Sequence, residues 1–299
     1  HSELEPHVRI EGQGMLRVAL PNKGRLAEDV RELFGDAGLE VRARGERALV
    51  ASLGGEFEAI LVRAKDIPEF VADGAADVGV TGWDLVCESE RELGMLLDLE
   101  FGGCRLVVAA RDDSGIESMD DLVGSPRVAT VFPQLSRKFF ERSGKAVTIV
   151  PVSGATEIAP HLGIADIIVD LTSSGSTLRV HQLHEVATVL ESSARLICSP
   201  KPSAPAARAA DELAEALSSV LRARDKRYVM ANVPRASLES ARRVMPGVNG
   251  PTVIDILDGG TYVAVHAVVA QSAIYRTVAD LKALGAQGIL VTRIERLMP

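Results

Sequence analysis

Thr172, Ser173, Ser174, Gly175, Ser176 and Thr177 set five hydroxyls around one glycine, directly after a strand-like run from Asp166 to Leu171. That run carries a carboxylate, Asp170, where its apolar residues stop, and a helix is expected from Leu178. Hydroxyl donors and backbone N–H groups at the start of a helix suit a phosphate dianion. Asp170, and Glu157 on the expected helix before the strand, can only accept when ionised, which suits sugar hydroxyls and not the phosphate. The set describes a grip on a phosphorylated ribose. A turn rich in serine and threonine often only caps a helix; the two acids at these spacings favour the ligand reading.

Three further loops bring charge, each after a strand-like run and before a helical one. Asn22-Lys23-Gly24-Arg25-Leu26 presents two cations about a glycine. Arg63-Ala64-Lys65-Asp66 has Asp66 as a plausible helix N-cap, with Arg63 the better nucleotide contact and Lys65 the weaker. Gly79-Val80-Thr81-Gly82-Trp83-Asp84 ends in an acid, and Trp83 reads as packing. The plain alternatives are a solvated basic turn and a tight strand-to-helix turn. Arg137, Lys138, His161 and His266 read as surface residues. So do His181 and His184, which are three apart but lack a third metal ligand. Cys87, Cys104 and Cys198 are odd in number and have no metal spacing, as expected of reduced, mostly buried thiols.

These loops need elements to hold them. Strand-like runs alternate with helical ones from Leu16 onward, which predicts an α/β layer structure with a largely parallel sheet. The expected strands are Leu16–Leu20, Ala48–Ser52, Ala59–Val62 and Val78–Thr81. The pattern restarts at Cys104, so residues 15–103 with 185–225 are expected to form one α/β lobe and 104–184 a second. The chain would return to the first lobe through Glu185–Glu191. Two lobes joined by crossing strands leave a cleft between them, and glycines in Glu100–Leu106 suit a hinge. After the proline-dotted connector Ser199–Pro205 and a long helix, residues 226–299 read βαββαβ, the ferredoxin-like order.

The chain has 299 residues, 46% of them hydrophobic, enough for several cores. A net charge of −8 argues against non-specific nucleic-acid or anionic-membrane binding. No apolar run approaches the roughly 20 residues that cross a bilayer. Residues 1–14 lack the apolar core and cleavage site of a signal peptide and read as a vector remnant before Met15.

Glu157, Gly163, Ala165, Ile168, Asp170, Ser174, Gly175, Thr177 and Leu178 fall at the positions of one signature, so the segment resembles ATP phosphoribosyltransferase, the first enzyme of histidine biosynthesis. The resemblance runs from Met15 to the C-terminus and includes the tail of the longer form. It departs at Ala64, where the family commonly has proline. It implies two periplasmic-binding-protein-like lobes around a cleft and an ACT-like βαββαβ domain. It also implies transfer of the phosphoribosyl group of 5-phosphoribosyl 1-diphosphate to N1 of ATP, with Mg²⁺ on the diphosphate and pyrophosphate released. The turn Thr172–Thr177 would hold the donor, with Glu157 and Asp170 facing the ribose. Lys23, Gly24, Arg25, Leu26, Arg63 and Asp84 would meet ATP, Lys23 also serving catalysis. Histidine would bind the tail as inhibitor near Asn232, Val268 and Gly288. A cytoplasmic enzyme interconverting between dimers and hexamers is expected. No covalent nucleophile is needed for such a transfer, and no Ser/His/Asp or Cys/His set stands out. Two alternatives remain at this point: a phosphoribosyltransferase for another base, and a two-lobe binding protein for a small molecule.

Overall fold

The computed structural model describes residues 15–298 apart from 44, 46, 47, 248, 249 and 257–259. The expected vector remnant, residues 1–14, lies outside the described residues. The first lobe opens with β1 (Arg17–Pro21), α1 (Ala27–Asp36), β2 (Val41–Ala43), β3 (Val50–Leu53) and β4 (Phe57–Val62). It continues through α2 (Ile67–Ala72), β5 (Val78–Gly82), α3 (Trp83–Ser89) and β6 (Gly94–Asp98). α1 shows how pattern becomes packing: Ala27, Val30, Leu33 and Phe34 recur at helical spacing and are all buried.

The chain then crosses to the second lobe: β7 (Cys104–Arg111), β8 (Arg127–Thr130), α4 (Pro133–Arg142), β9 (Thr148–Pro151), β10 (Ile167–Thr172), α5 (Ser176–Val180) and β11 (Leu183–Ser192). It returns through β12 (Ala194–Cys198) and α6 (Ala204–Arg224). The first sheet has the order β2-β3-β4-β1-β5-β12-β6 and the second β11-β7-β10-β8-β9. The second is apolar on both faces. Leu106, Val108 and Ala110 of β7 join Phe132, Phe140, Ile167 and Val169 on one side, and Val107 and Ala109 join Ile168, Leu178 and Leu183 on the other. Phe140 alone, 1% exposed, contributes roughly 2–3 kcal/mol by leaving water.

The structure corrects three expectations here. β11 pairs antiparallel with β7 along its length, so Glu185–Ser192 belongs to the second lobe and the return begins at Ala194. Alternation shows that a segment is a strand but not which strand it joins. Both sheets are mixed, not largely parallel: β4-β1-β5 and β10-β8-β9 run parallel, flanked by antiparallel neighbours. The helix expected to carry Glu157 is a single 3₁₀ turn, Thr156–Ile158, followed by turns through Pro160 and Gly163. Proline cannot donate to an i−4 carbonyl, and Gly163 adopts φ +68°, so the helix does not propagate.

A second compact unit begins at Glu215, within α6. It contains β13 (Lys226–Pro234), α7 (Leu238–Val244), β14 (Thr252–Asp255), β15 (Tyr262–Ala270), α8 (Ile274–Ala283) and β16 (Gln287–Arg293). The sheet order β14-β15-β13-β16 is that of the ferredoxin-like fold. Val229, Ala231 and Val233 alternate inward against Ala241 and Leu281 of the helices.

Candidate active site

Strand ends converge on the crossing between the two lobes. Ala194, just past the crossing residue Ser193, pairs with Gly82 at the end of β5, and Arg105, just past the other crossing, pairs with Thr172 at the end of β10. The carboxyl ends of parallel strands from both sheets therefore meet the hinge, the usual place for a ligand in an α/β fold.

In the second lobe β10 delivers Asp170, half-buried, whose carboxylate accepts the Leu171 N–H at 2.8 Å. Burial pushes its carboxyl above the usual range. The charge of Glu157 pushes in the same direction, while the Leu171 N–H and the Thr156 hydroxyl oppose them. Glu157 is brought to this carboxylate by the 3₁₀ turn, which follows Ala155 at φ +50°, an uncommon backbone state for alanine. His181 Nε2 stands 3.9 Å from Glu157 Oε1.

Beyond Asp170 the chain turns at once. Thr172 Oγ1 accepts the Gly175 N–H at 2.9 Å, and the Ser174 and Ser176 hydroxyls lie 2.9 Å apart. Ser173, Ser174, Ser176 and Thr177 are exposed, and the helix begins at Ser176, two residues before the expected Leu178. Gly175 sits at φ +72°, and a Cβ there would lie 3.1 Å from Arg179 Nη1 and 3.3 Å from Glu185 Oε1. Gly175→Ala is expected to cost about 1–2 kcal/mol for the left-handed backbone alone, read as a fall in Tm by calorimetry. An unchanged Tm would mean that the turn relaxes freely.

In the first lobe Asn22 N–H donates to Val62 O at 2.8 Å, which sets the Lys23–Arg25 loop beside Arg63, the residue after β4. Lys23, Gly24 and Arg63 are exposed, whereas Leu26 is buried and can offer a ligand only its backbone. Arg25 is already engaged: one nitrogen donates to Gly102 O in the hinge, and Nη2 stands 3.4 Å from Asp84 Oδ1. Asp84 departs furthest from its expected role as an ATP contact. Its side chain is 1% exposed and accepts the Ser192 hydroxyl at 2.6 Å, while its N–H donates to Ser192 Oγ at 3.0 Å. An acid so enclosed ties the first lobe to the end of β11 through Oδ1.

Other hinge contacts have no signal in the sequence, because their partners are far apart along it. Arg195 pairs with Asp98 and lies 5.9 Å over the Trp83 ring. Glu88 of α3 accepts the N–H groups of Gln134 and Leu135 at 3.0 and 2.9 Å, capping α4 in the other lobe. Lys138, expected to be a surface charge, bonds Glu90 at 2.6 Å across the same gap. Among the described residues no cluster of three or more His, Cys, Asp or Glu side chains is arranged to hold a metal ion, and no helix is long and apolar enough to cross a membrane.

In the second unit the antiparallel register separates the three residues expected around an inhibitor. Asn232 Nδ2 would lie 3.5 Å from a Cβ on Gly288. Val268 instead pairs with Tyr228, four residues or roughly 13 Å along the strand from Asn232.

Known proteins match most of this chain. The model of the HisG family, ATP phosphoribosyltransferase, matches residues 63–219, and that of the HisG C-terminal domain matches residues 223–296. An ATP phosphoribosyltransferase from Gemmatimonas aurantiaca is 67% identical over 95% of this chain and 100% of its own length. One from Natronomonas pharaonis is 48% identical over the same shares. Among solved structures, the ATP phosphoribosyl transferase (HisG:HisZ) complex from Thermotoga maritima contains a chain 28% identical to this one. It superposes with a TM-score of 0.62, covering 70% of this chain and 99% of that chain. A family model over half of the chain, together with relatives of this identity at full length, places this chain in the ATP phosphoribosyltransferase family, whose reaction is the first step of histidine biosynthesis.

Proposed function

We propose that the two lobes divide the substrates: the second holds 5-phosphoribosyl 1-diphosphate and the first holds ATP. One observation carries this reading. Asp170, half-buried with its carboxyl raised by burial, stands beside Glu157 and immediately before the exposed hydroxyl turn Ser173–Thr177. That is a sugar-facing acid pair joined to a phosphate-sized nest of donors.

As the C1–pyrophosphate bond breaks, the ribose becomes oxocarbenium-like and positive, and negative charge gathers on the leaving group. Asp170 and Glu157 would stabilise the first charge from a partly dry setting where electrostatics are strong. Thr172, Ser173, Ser174, Gly175, Ser176 and Thr177 would fix the 5-phosphate and so hold C1 in place. Lys23 and Arg63, exposed on adjacent loops, would meet the polyphosphates of ATP and the departing diphosphate, with Gly24 and Leu26 contributing backbone. Arg25 would act from the hinge. Mg²⁺ carried on the diphosphate as part of the substrate would supply charge neutralisation there. Adenine N1 would be the nucleophile, so the transfer needs no covalent intermediate on the protein.

Histidine is the proposed inhibitor, bound by the second unit beside Asn232 and Gly288. A homo-oligomer of dimers or hexamers working in the cytoplasm completes the reading. The test is pyrophosphate release from 5-phosphoribosyl 1-diphosphate and Mg²⁺ with ATP, set against release with free purine and pyrimidine bases. ATP-dependent release is expected; release only with another base would overturn the assignment of the acceptor.

A further inference from the structure

Arg105 belongs to none of the loops just described, yet it reaches the phosphate turn through one intermediary. It stands on β7 at the register position of Thr172 on one side and of Glu191 on the other. Its Nη1 and Nη2 donate to Glu185 Oε2 and Oε1 at 2.6 and 2.9 Å, a bidentate fork. Glu185 Oε1 in turn lies 3.3 Å from where a Cβ on Gly175 would be. A carboxylate is therefore packed against the backbone of the very turn that is to hold a dianion. Left uncompensated, it would repel a phosphate there. A cavity bordered by Gly175, Arg179, Leu183 and Glu185 leaves open space beside this carboxylate; Arg179 Nη1 stands 3.1 Å from the same Cβ position, and the fork from Arg105 is the hydrogen-bonded contact of Glu185.

We propose that Arg105 is a positioning residue of the donor site: it neutralises Glu185 and holds it against Gly175, so that the turn accepts a phosphate dianion. The proposal rests on the reading of Ser173–Thr177 as the phosphate turn. A simple brace across the sheet would use the same ion pair, but it would depend on the bond itself and not on the sign of the charge left when Arg105 is removed.

The test uses full-length Arg105→Met, Glu185→Gln and the double variant. Binding of 5-phosphoribosyl 1-diphosphate and of ribose 5-phosphate is measured at equilibrium, alongside steady-state kinetics and Tm. Arg105→Met is expected to weaken both ligands about ten-fold and to raise the donor KM, with kcat and the KM for ATP within about two-fold. Glu185→Gln alone keeps the shape and should bind the donor at least as tightly as the wild type. The double variant should recover donor binding to within about three-fold of wild type, because the neutral amide no longer repels. A double variant no better than Arg105→Met, unchanged binding in Arg105→Met, or a ten-fold loss in Glu185→Gln would each overturn the proposal. If Arg105→Met does not fold, Arg105→Lys replaces it: lysine keeps the positive charge but not the fork, so donor binding within about three-fold of wild type is expected and a ten-fold loss would overturn the proposal. A wild-type protein that binds neither phosphate ester would instead overturn the reading of the turn itself.

Discussion

Asp170→Asn is expected to lower kcat/KM by about 100-fold or more, while Tm at neutral pH stays level or rises. Both effects follow from one setting. Burial and the neighbouring Glu157 raise the carboxyl of Asp170 above its usual range, so the folded protein holds the ionised form at a cost. Such a cost is absent in acid, where the group is protonated in both the folded and unfolded chains. It grows as pH rises through the unfolded value toward the raised folded one, and is constant above that. Asparagine removes the cost and keeps an oxygen to accept the Leu171 N–H, but it loses the negative charge that an oxocarbenium-like ribose requires. The Tm advantage of the variant should therefore vanish in acid and appear toward neutral pH. Melting curves at two pH values with steady-state kinetics check this; a variant that is unfolded, or as active as the wild type, contradicts it.

Deleting residues from Asp225 onward is expected to abolish inhibition by histidine while ATP-dependent turnover persists. The ferredoxin-like unit has its own core around Val229, Val265 and Leu281, and the acids and hydroxyls assigned to the transfer all lie in the first unit. The measurement is turnover against histidine concentration for the two lengths of chain. Inhibition that survives the deletion would mean that the inhibitor acts within the first unit.

Much of the donor half was legible in the sequence, because its signal is local. Asp170 and the hydroxyl turn are contiguous, and a short continuous β-branched run bounded by small polar residues reads as a buried strand. The same locality made the βαββαβ order readable. What escaped was whatever depends on distant partners. Glu185–Glu191 reads as a strand, but its pairing with β7 is set by tertiary packing. β6 is the short run Gly-Met-Leu-Leu-Asp with no alternation, and β2 has only three residues, so neither announces itself. Asp84 follows a strand in the same way as Arg63, yet Ser192, 108 residues away, encloses it. Arg105 and Glu185 are 80 residues apart, and their fork is invisible until β7 and β11 are neighbours. In the tail, antiparallel register carried Val268 away from Asn232 and Gly288, a separation that spacing along the chain does not encode.

The division of substrates between the lobes is tested most directly by amide hydrogen exchange on the wild-type protein with each substrate added separately. The donor with Mg²⁺ is expected to protect amides within residues 170–179 more strongly than those of 22–26 and 63–66, whereas ATP should protect the two latter loops and leave 170–179 unchanged. Donor-induced protection confined to the first lobe, with residues 170–179 exchanging as in the free protein, would contradict the account.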